Sequence, residues 1–238
     1  MQILSRLLGG GRRKPHSDIS PMGCLLSWAD QLVEQGNETG LRDLMKIVLR
    51  PIQALHLSDA YLKPAHAGIE ELWWLDSMGL IGHIPTLSER IETYILKQCV
   101  REGTENEKIS LASDMVLPTG WHPNSLIDTL GRIGKGLPCG EFKQSINHKV
   151  TSMPALCIGW VSGGNHSIAQ AIIRGDGWLI PREVIDVLPL IPYVRFDGRK
   201  WRCIETGACV GEPRYEAFGW VWELARRIEH LKQSSNSS

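Results

Sequence analysis

The sequence predicts a mixed α/β fold, and three observations carry that reading. The nearly continuous apolar run Pro154-Ala155-Leu156-Cys157-Ile158-Gly159-Trp160-Val161 suits a central strand covered on both faces. Ser162-Gly163-Gly164 turns the chain at once, and from Asn165 the spacing becomes helical, with Ile168, Ala171 and Ile172 on one face and Gly175 as the stop. Ahead of these lies a region, residues 21–103, whose apolar residues recur at helical rather than strand spacing.

At 238 residues the chain is long enough to bury a full core, as one large domain or as a core domain with a helical extension. Lys plus Arg numbers 26 and Asp plus Glu numbers 26, so no global field gathers nucleic acid or an anionic membrane, and any polyanion site must be local. The six cysteines, at 24, 99, 139, 157, 203 and 209, contain no CxxC pair and read as buried free thiols of a reducing compartment. No stretch is long and uncharged enough to span a bilayer, and at the start the charges Arg12-Arg13-Lys14 follow the apolar residues, the reverse of a secretory signal. The expectation is a cytoplasmic protein whose residues 1–20 form a flexible segment.

In chain order, Leu25, Leu26, Trp28, Ala29, Leu32 and Val33 mark a helix from Pro21 that stops at Gly36. A second runs from Glu38 to Leu49, with Leu41, Leu44, Met45 and Val48 on one face and Pro51 as its end or kink. The segment from Gly68 to Ile84 is dense in apolar residues. Its adjacent Trp73 and Trp74 would lie about 100° apart on a helix, one in the core and the other toward a protein partner. Ser88 opens a further helix that ends near Gly103, where the domain boundary is placed.

The second region, residues 104–232, begins with Ile109 to Leu117 as a half-buried strand closed by Pro118-Thr119-Gly120. Asn124 to Arg132 reads as a short helix with Leu126, Ile127 and Leu130 inward, and residues 131–140 as a glycine-rich loop. Beyond the central strand and its helix come a strand from Val184 to Leu190 and a hairpin over residues 193–204 turning at Asp197-Gly198. A helix from Arg214 to Leu231 and a disordered tail, residues 233–238, complete the chain.

Chemistry concentrates at the turn Gly163-Gly164-Asn165-His166-Ser167. A strand that ends in two glycines and opens a helix directs the first helical amides at one small volume, which attracts anions. Glycine leaves room for a phosphate, while Asn165, His166 and Ser167 supply an amide, an imidazole and a hydroxyl. The competing reading is a tight connection in which the glycines serve the backbone, Asn165 caps the helix and His166 is surface. In Asn147-His148-Lys149, either the histidine or the lysine could return to the site as phosphate ligand or proton carrier. Trp121 offers a ring for a base, and Glu141, Asp176 and Asp186 are carboxylates for a metal or a general base, though nothing in their spacing singles one out.

The run from Gly164 to Ala171 resembles the signature turn of the ParB/sulfiredoxin-like superfamily, over roughly residues 109–190. The resemblance implies a mixed sheet with helices whose turn holds nucleotide phosphates; branches bind CTP, hydrolyse ATP or GTP, cut nucleic acid or transfer a phosphoryl group. On it, Gly164 matches the family glycine, Asn165 the variable polar site, His166 the first basic site and Ala171 the second alanine. Ser167 stands where arginine is usual, which removes a bidentate phosphate contact. The whole chain also resembles an uncharacterised bacterial family associated with mobile elements.

The expectation is therefore a nucleotide- or phosphate-binding protein. Gly163, Gly164, Asn165, His166 and Ser167 would hold a nucleoside triphosphate with magnesium, and His166 and His148 would be the catalytic groups if it is an NTPase or phosphodiesterase. Two rivals stand beside it: a non-catalytic interaction subunit docking through Trp73 and Trp74, and a DNA-binding regulator using Arg195, Arg199, Lys200 and Arg202 of the hairpin.

Overall fold

The computed structural model describes residues 20–62, 99–120 and 123–236, and within them helices are joined to a mixed sheet. The expectations for Trp73, Trp74, Ser88 and Trp121 lie outside the described residues, but the helix expected to end near Gly103 is corrected at that end, because Val100–Glu102 is a strand paired with Glu183–Ile185.

Helix α1, Pro21–Glu34, starts where Ser20 Oγ accepts the Gly23 amide at 3.1 Å, with Pro21 in its first turn. Its buried contact is Ala29, while Trp28 is 62 % exposed, so that member of the apolar spacing faces solvent. Helix α2, Glu38–Leu62, starts where Asn37 Oδ1 accepts the Gly40 amide at 2.9 Å, and it continues past Pro51. Of the two outcomes expected at Pro51, an end or a kink, the end is therefore corrected. Proline removes one helical bond, but Ile52 is buried beyond it and Gln53 and His56 grip the sheet, so tertiary contact offsets the local loss.

The strands are β1 (Val100–Glu102), β2 (Ile109–Ser110), β3 (Met115–Leu117), β4 (Lys149–Met153), β5 (Ile158–Gly163), β6 (Trp178–Leu179), β7 (Glu183–Ile185), β8 (Val194–Phe196), β9 (Trp201–Cys203) and β10 (Cys209–Gly211). Interspersed are α3 (Pro123–Thr129), α4 (Asn165–Arg174) and α5 (Glu216–Asn236). The main sheet has the order β1-β7-β4-β5-β3, with β3 parallel to β5, β4 parallel to β7, and antiparallel pairing between β4 and β5 and between β1 and β7. β10-β9-β8 form a second sheet, and β2 pairs with β6.

Alternation along the strands feeds two cores. Met115, Leu117, Met153, Ile158 and Trp160 join Leu41, Met45 and Leu49 of α2 and Phe218, Val221 and Trp222 of α5 on one face. Val116, Val150 and Val161 join Ile168 and Ala171 of α4 and Leu179 on the other. The first core spans both sides of Gly103, so the boundary placed there does not separate two cores. Helices also close sheet edges. Gln53 Nε2 donates to Val116 O at 2.8 Å and His56 Nδ1 lies 3.0 Å from Pro118 O, while Trp222 Nε1 donates to Val194 O and Glu223 Oε1 accepts from Phe196 N.

Several expected elements take a different form. Residues 109–117 are two strands in two sheets, because Asp114 closes a turn: its amide donates to Ser110 O and its carboxylate accepts the Ser110 amide. The run 154–161 begins as a 3-10 turn, Pro154–Leu156, and the left-handed Cys157 precedes β5. Strand β4 was hidden by its buried polar pair Thr151 and Ser152. Of the apolar face expected over residues 124–132, Leu126 is buried, while Ile127 is 69 % and Leu130 42 % exposed. β7 ends at Ile185, and α5 continues through Asn236, into the segment expected as a tail. The hairpin turn is wider than an Asp-Gly pair: Asp197 Oδ1 accepts the amides of Arg199 and Lys200, and Asp197 N donates to Lys200 O. All six cysteines are free as expected, but Cys24, Cys139 and Cys209 are exposed rather than buried.

Candidate functional site

The parallel strands β3 and β5 end side by side, and the chain leaves each of them toward a helix. β5 ends in Gly163. Gly164 takes φ 73° and ψ 23°, the left-handed conformation that glycine adopts without a Cβ penalty, and is the N-cap of α4. The helical ladder opens with Ile168 N donating to Gly164 O at 3.1 Å, so the amides of Asn165, His166 and Ser167 precede it and point out of the helix start.

Asn165 does not cap its own helix. It is buried, and its Oδ1 accepts the Thr119 amide at 2.8 Å, which joins the end of β3 to the start of α4. The carbonyl of that same peptide, Pro118 O, faces His56 Nδ1. A carbonyl only accepts, so Nδ1 carries the proton and Nε2 receives the hydroxyl of Tyr215 at 3.0 Å. A chain of hydrogen bonds thus runs from Tyr215 through His56 and one peptide group to Asn165. Burial pushes the His56 imidazole down to about 4, so it is neutral near pH 7.

The structure brings His148 to the turn. Its Nδ1 receives the Ser145 backbone N–H at 2.7 Å, which requires a lone pair there and places the ring proton on Nε2. Nε2 stands 2.6 Å from Ser167 Oγ and donates to it, while Ser167 Oγ donates to Gly164 O at 3.1 Å. Burial holds the His148 imidazole below the ordinary histidine range, which favours this neutral form. Ser167 therefore meets a donor. In this state His148 does not act as a base toward that hydroxyl.

The space beside the glycines is filled from the same segment. A Cβ on Gly164 would stand 2.3 Å from His148 Cδ2, and one on Gly163 would meet Asn147 O at 2.7 Å and Lys149 Cβ and Cδ at 3.4 Å. This corrects the picture of glycines left bare for phosphate: their bareness admits the 147–149 segment, and what an anion can reach is the helix start and its rim. The stem of Lys149 lies over Gly163, and its exposed side chain forms no ion pair among the described residues. His166 is half-buried beside Gly120.

The other candidate carboxylates do not converge here. Asp176 Oδ2 accepts the Phe142 amide, Asp186 Oδ1 accepts the Leu188 amide, and Glu141 is exposed. Among the described residues no three His, Cys, Asp or Glu side chains form a metal-holding group. On the hairpin, Arg202 pairs with Asp197 at 2.6 Å and Lys200 with Glu212 at 3.6 Å, so half of the expected basic run is offset. Cavities of about 300 and 410 Å³ lie at the opposite end of the β4–β5 pair, around Arg42, Pro154 and Cys157.

Sequence reading missed Ser145, Thr119 and His56. The spacing Ser145-x-x-His148 before a strand is the available signal for a ring folded back on its own turn; Thr119 and His56 carry none, because their roles depend on strand neighbours far away in the chain.

A family model matches residues 23–235, and the chain belongs to that family, a family of unknown function, DUF6710. No curated protein and no solved structure matches it.

Proposed function

We propose that this DUF6710 chain binds a phosphate-bearing ligand, a nucleoside triphosphate with magnesium, at the start of α4. The observation that carries the reading is that the groups gathered there can all donate. They are the first amides of α4, the Ser167 hydroxyl, the His148 Nε2–H fixed by the Ser145 amide, and the Lys149 ammonium at the rim. A phosphate oxygen that takes the His148 proton bond in place of Ser167 would be held by a neutral imidazole and a helix start together. The ParB/sulfiredoxin-like resemblance supports the same reading.

Binding is the function favoured over NTP or phosphodiester hydrolysis. Hydrolysis requires a group that accepts a proton from water or from a hydroxyl, and the His148 nitrogen facing Ser167 already carries one. His166, on the first turn of α4, would contact the ligand. Titration of the full chain with each of the four ribonucleoside triphosphates and magnesium, followed by calorimetry, tests the proposal. Saturable binding that weakens in His148→Ala supports it; no heat from any of the four, with the fold intact, ends it.

A further inference from the structure

Beside the turn, but on other elements, lies a second concentration of chemistry. The segment Phe142-Lys143-Gln144 runs alongside residues 177–180: the Phe142 ring occupies the space where a Cβ on Gly177 would stand, 2.6 Å from its Cδ1. The Gln144 amide makes a two-point clasp with Ile180, donating to its O at 2.9 Å and accepting its N–H at 2.7 Å. Lys143 lies between these two ties on its segment, as Trp178 does on the facing one. A further tie, Arg182 N to Val150 O at 2.9 Å, joins Arg182 to the residue that follows Lys149.

These residues have two properties in common. Lys143, Lys149 and Arg182 are exposed and form no ion pair among the described residues, in a chain whose formal charges balance. Trp178 is 59 % exposed, because its strand partner in burial, Leu179, turns the opposite way into the core. Ile146, at the tip of the neighbouring turn, is 92 % exposed. The acids of this end are Glu141, Asp176 and Glu183; Asp176 receives the Phe142 amide and Glu183 the Thr151 hydroxyl.

We infer that this surface binds single-stranded nucleic acid, with Trp178 as a stacking platform for a base and Lys143, Lys149 and Arg182 along the phosphodiester backbone. Unpaired cations and an open indole on segments tied to one another match a strand that offers phosphates at its edge and bare bases on its face. A duplex hides its base faces and cannot stack on Trp178. The inference goes beyond triphosphate binding at the α4 start and does not require it, since only Lys149 is common to both.

Fluorescence anisotropy of labelled oligothymidylate and oligouridylate with the full chain tests it. Wild-type protein is expected to bind both, more tightly than the matching duplex, with affinity falling as salt rises. Trp178→Ala should weaken binding about tenfold, the usual scale for one stacked base. Lys143→Gln with Arg182→Gln should flatten the salt dependence while leaving triphosphate binding unchanged. Circular dichroism checks the fold of these surface variants. No single-strand binding by the wild type, or binding that Trp178→Ala and the double charge variant leave unaltered, overturns the inference; triphosphate binding measured on the same preparations shows separately whether the α4 site stands.

Discussion

His148 Nε2 stands 2.6 Å from Ser167 Oγ and faces it as a donor, because the Ser145 N–H already occupies the ring's other nitrogen. Nitrogen-15 NMR of the ring near neutral pH is expected to show a protonated Nε2 and a bare Nδ1, with a titration midpoint below the ordinary histidine value. A protonated Nδ1 would turn Ser167 and His148 into a hydroxyl facing a base, and the binding-only reading of the turn would fail.

Gly164 serves two needs that can be separated. Its left-handed backbone disfavours a Cβ by about 1–2 kcal/mol, and the His148 ring blocks the position where that Cβ would sit. Gly164→Ala will destabilise the wild type by more than that amount. In a His148→Ala background the loss should shrink to the backbone part, as read from urea unfolding. Equal losses in both backgrounds would mean that the ring does not pack against the glycine.

Buried His56 makes stability depend on pH in a definite direction. Its folded value of about 4 lies below the ordinary 6.5, so between those values the unfolded chain binds more protons than the folded one. The neutral ring's contribution is complete above pH 6.5 and is lost as pH falls toward 4, by about 3 kcal/mol at most. Unfolding free energy followed across that window will carry this slope, and His56→Gln, which retains a donor for Pro118 O but cannot titrate, will lack it. An identical slope in His56→Gln would assign the effect to other groups.

Local signals made part of this molecule legible. Helix α4 could be read to the residue, since Gly164 and Gly175 both take the left-handed conformation that their glycine identity suggested at its ends. The turn was found for the same reason. What stayed hidden depended on partners distant in sequence: α2 passes Pro51 because Gln53 and His56 bind carbonyls of residues 116 and 118. Thr151 and Ser152, polar residues to which the sequence reading gave no element, lie buried between paired strands. His148 was legible as a candidate near the turn, yet its role as donor rests on the Ser145 amide, which no residue pattern announces.

The central claim is that the start of α4 binds phosphate through donors that include the His148 Nε2–H. Its most direct test is calorimetric titration with nucleoside triphosphate and magnesium of wild type, His148→Ala and His148→Gln, with circular dichroism confirming the fold. The expected result is saturable binding by the wild type, a loss of roughly 1–3 kcal/mol in His148→Ala, the usual scale of a hydrogen bond to a charged group, and partial recovery in His148→Gln, whose amide can still donate. Binding of equal strength in all three proteins would contradict the account and place any ligand away from this turn.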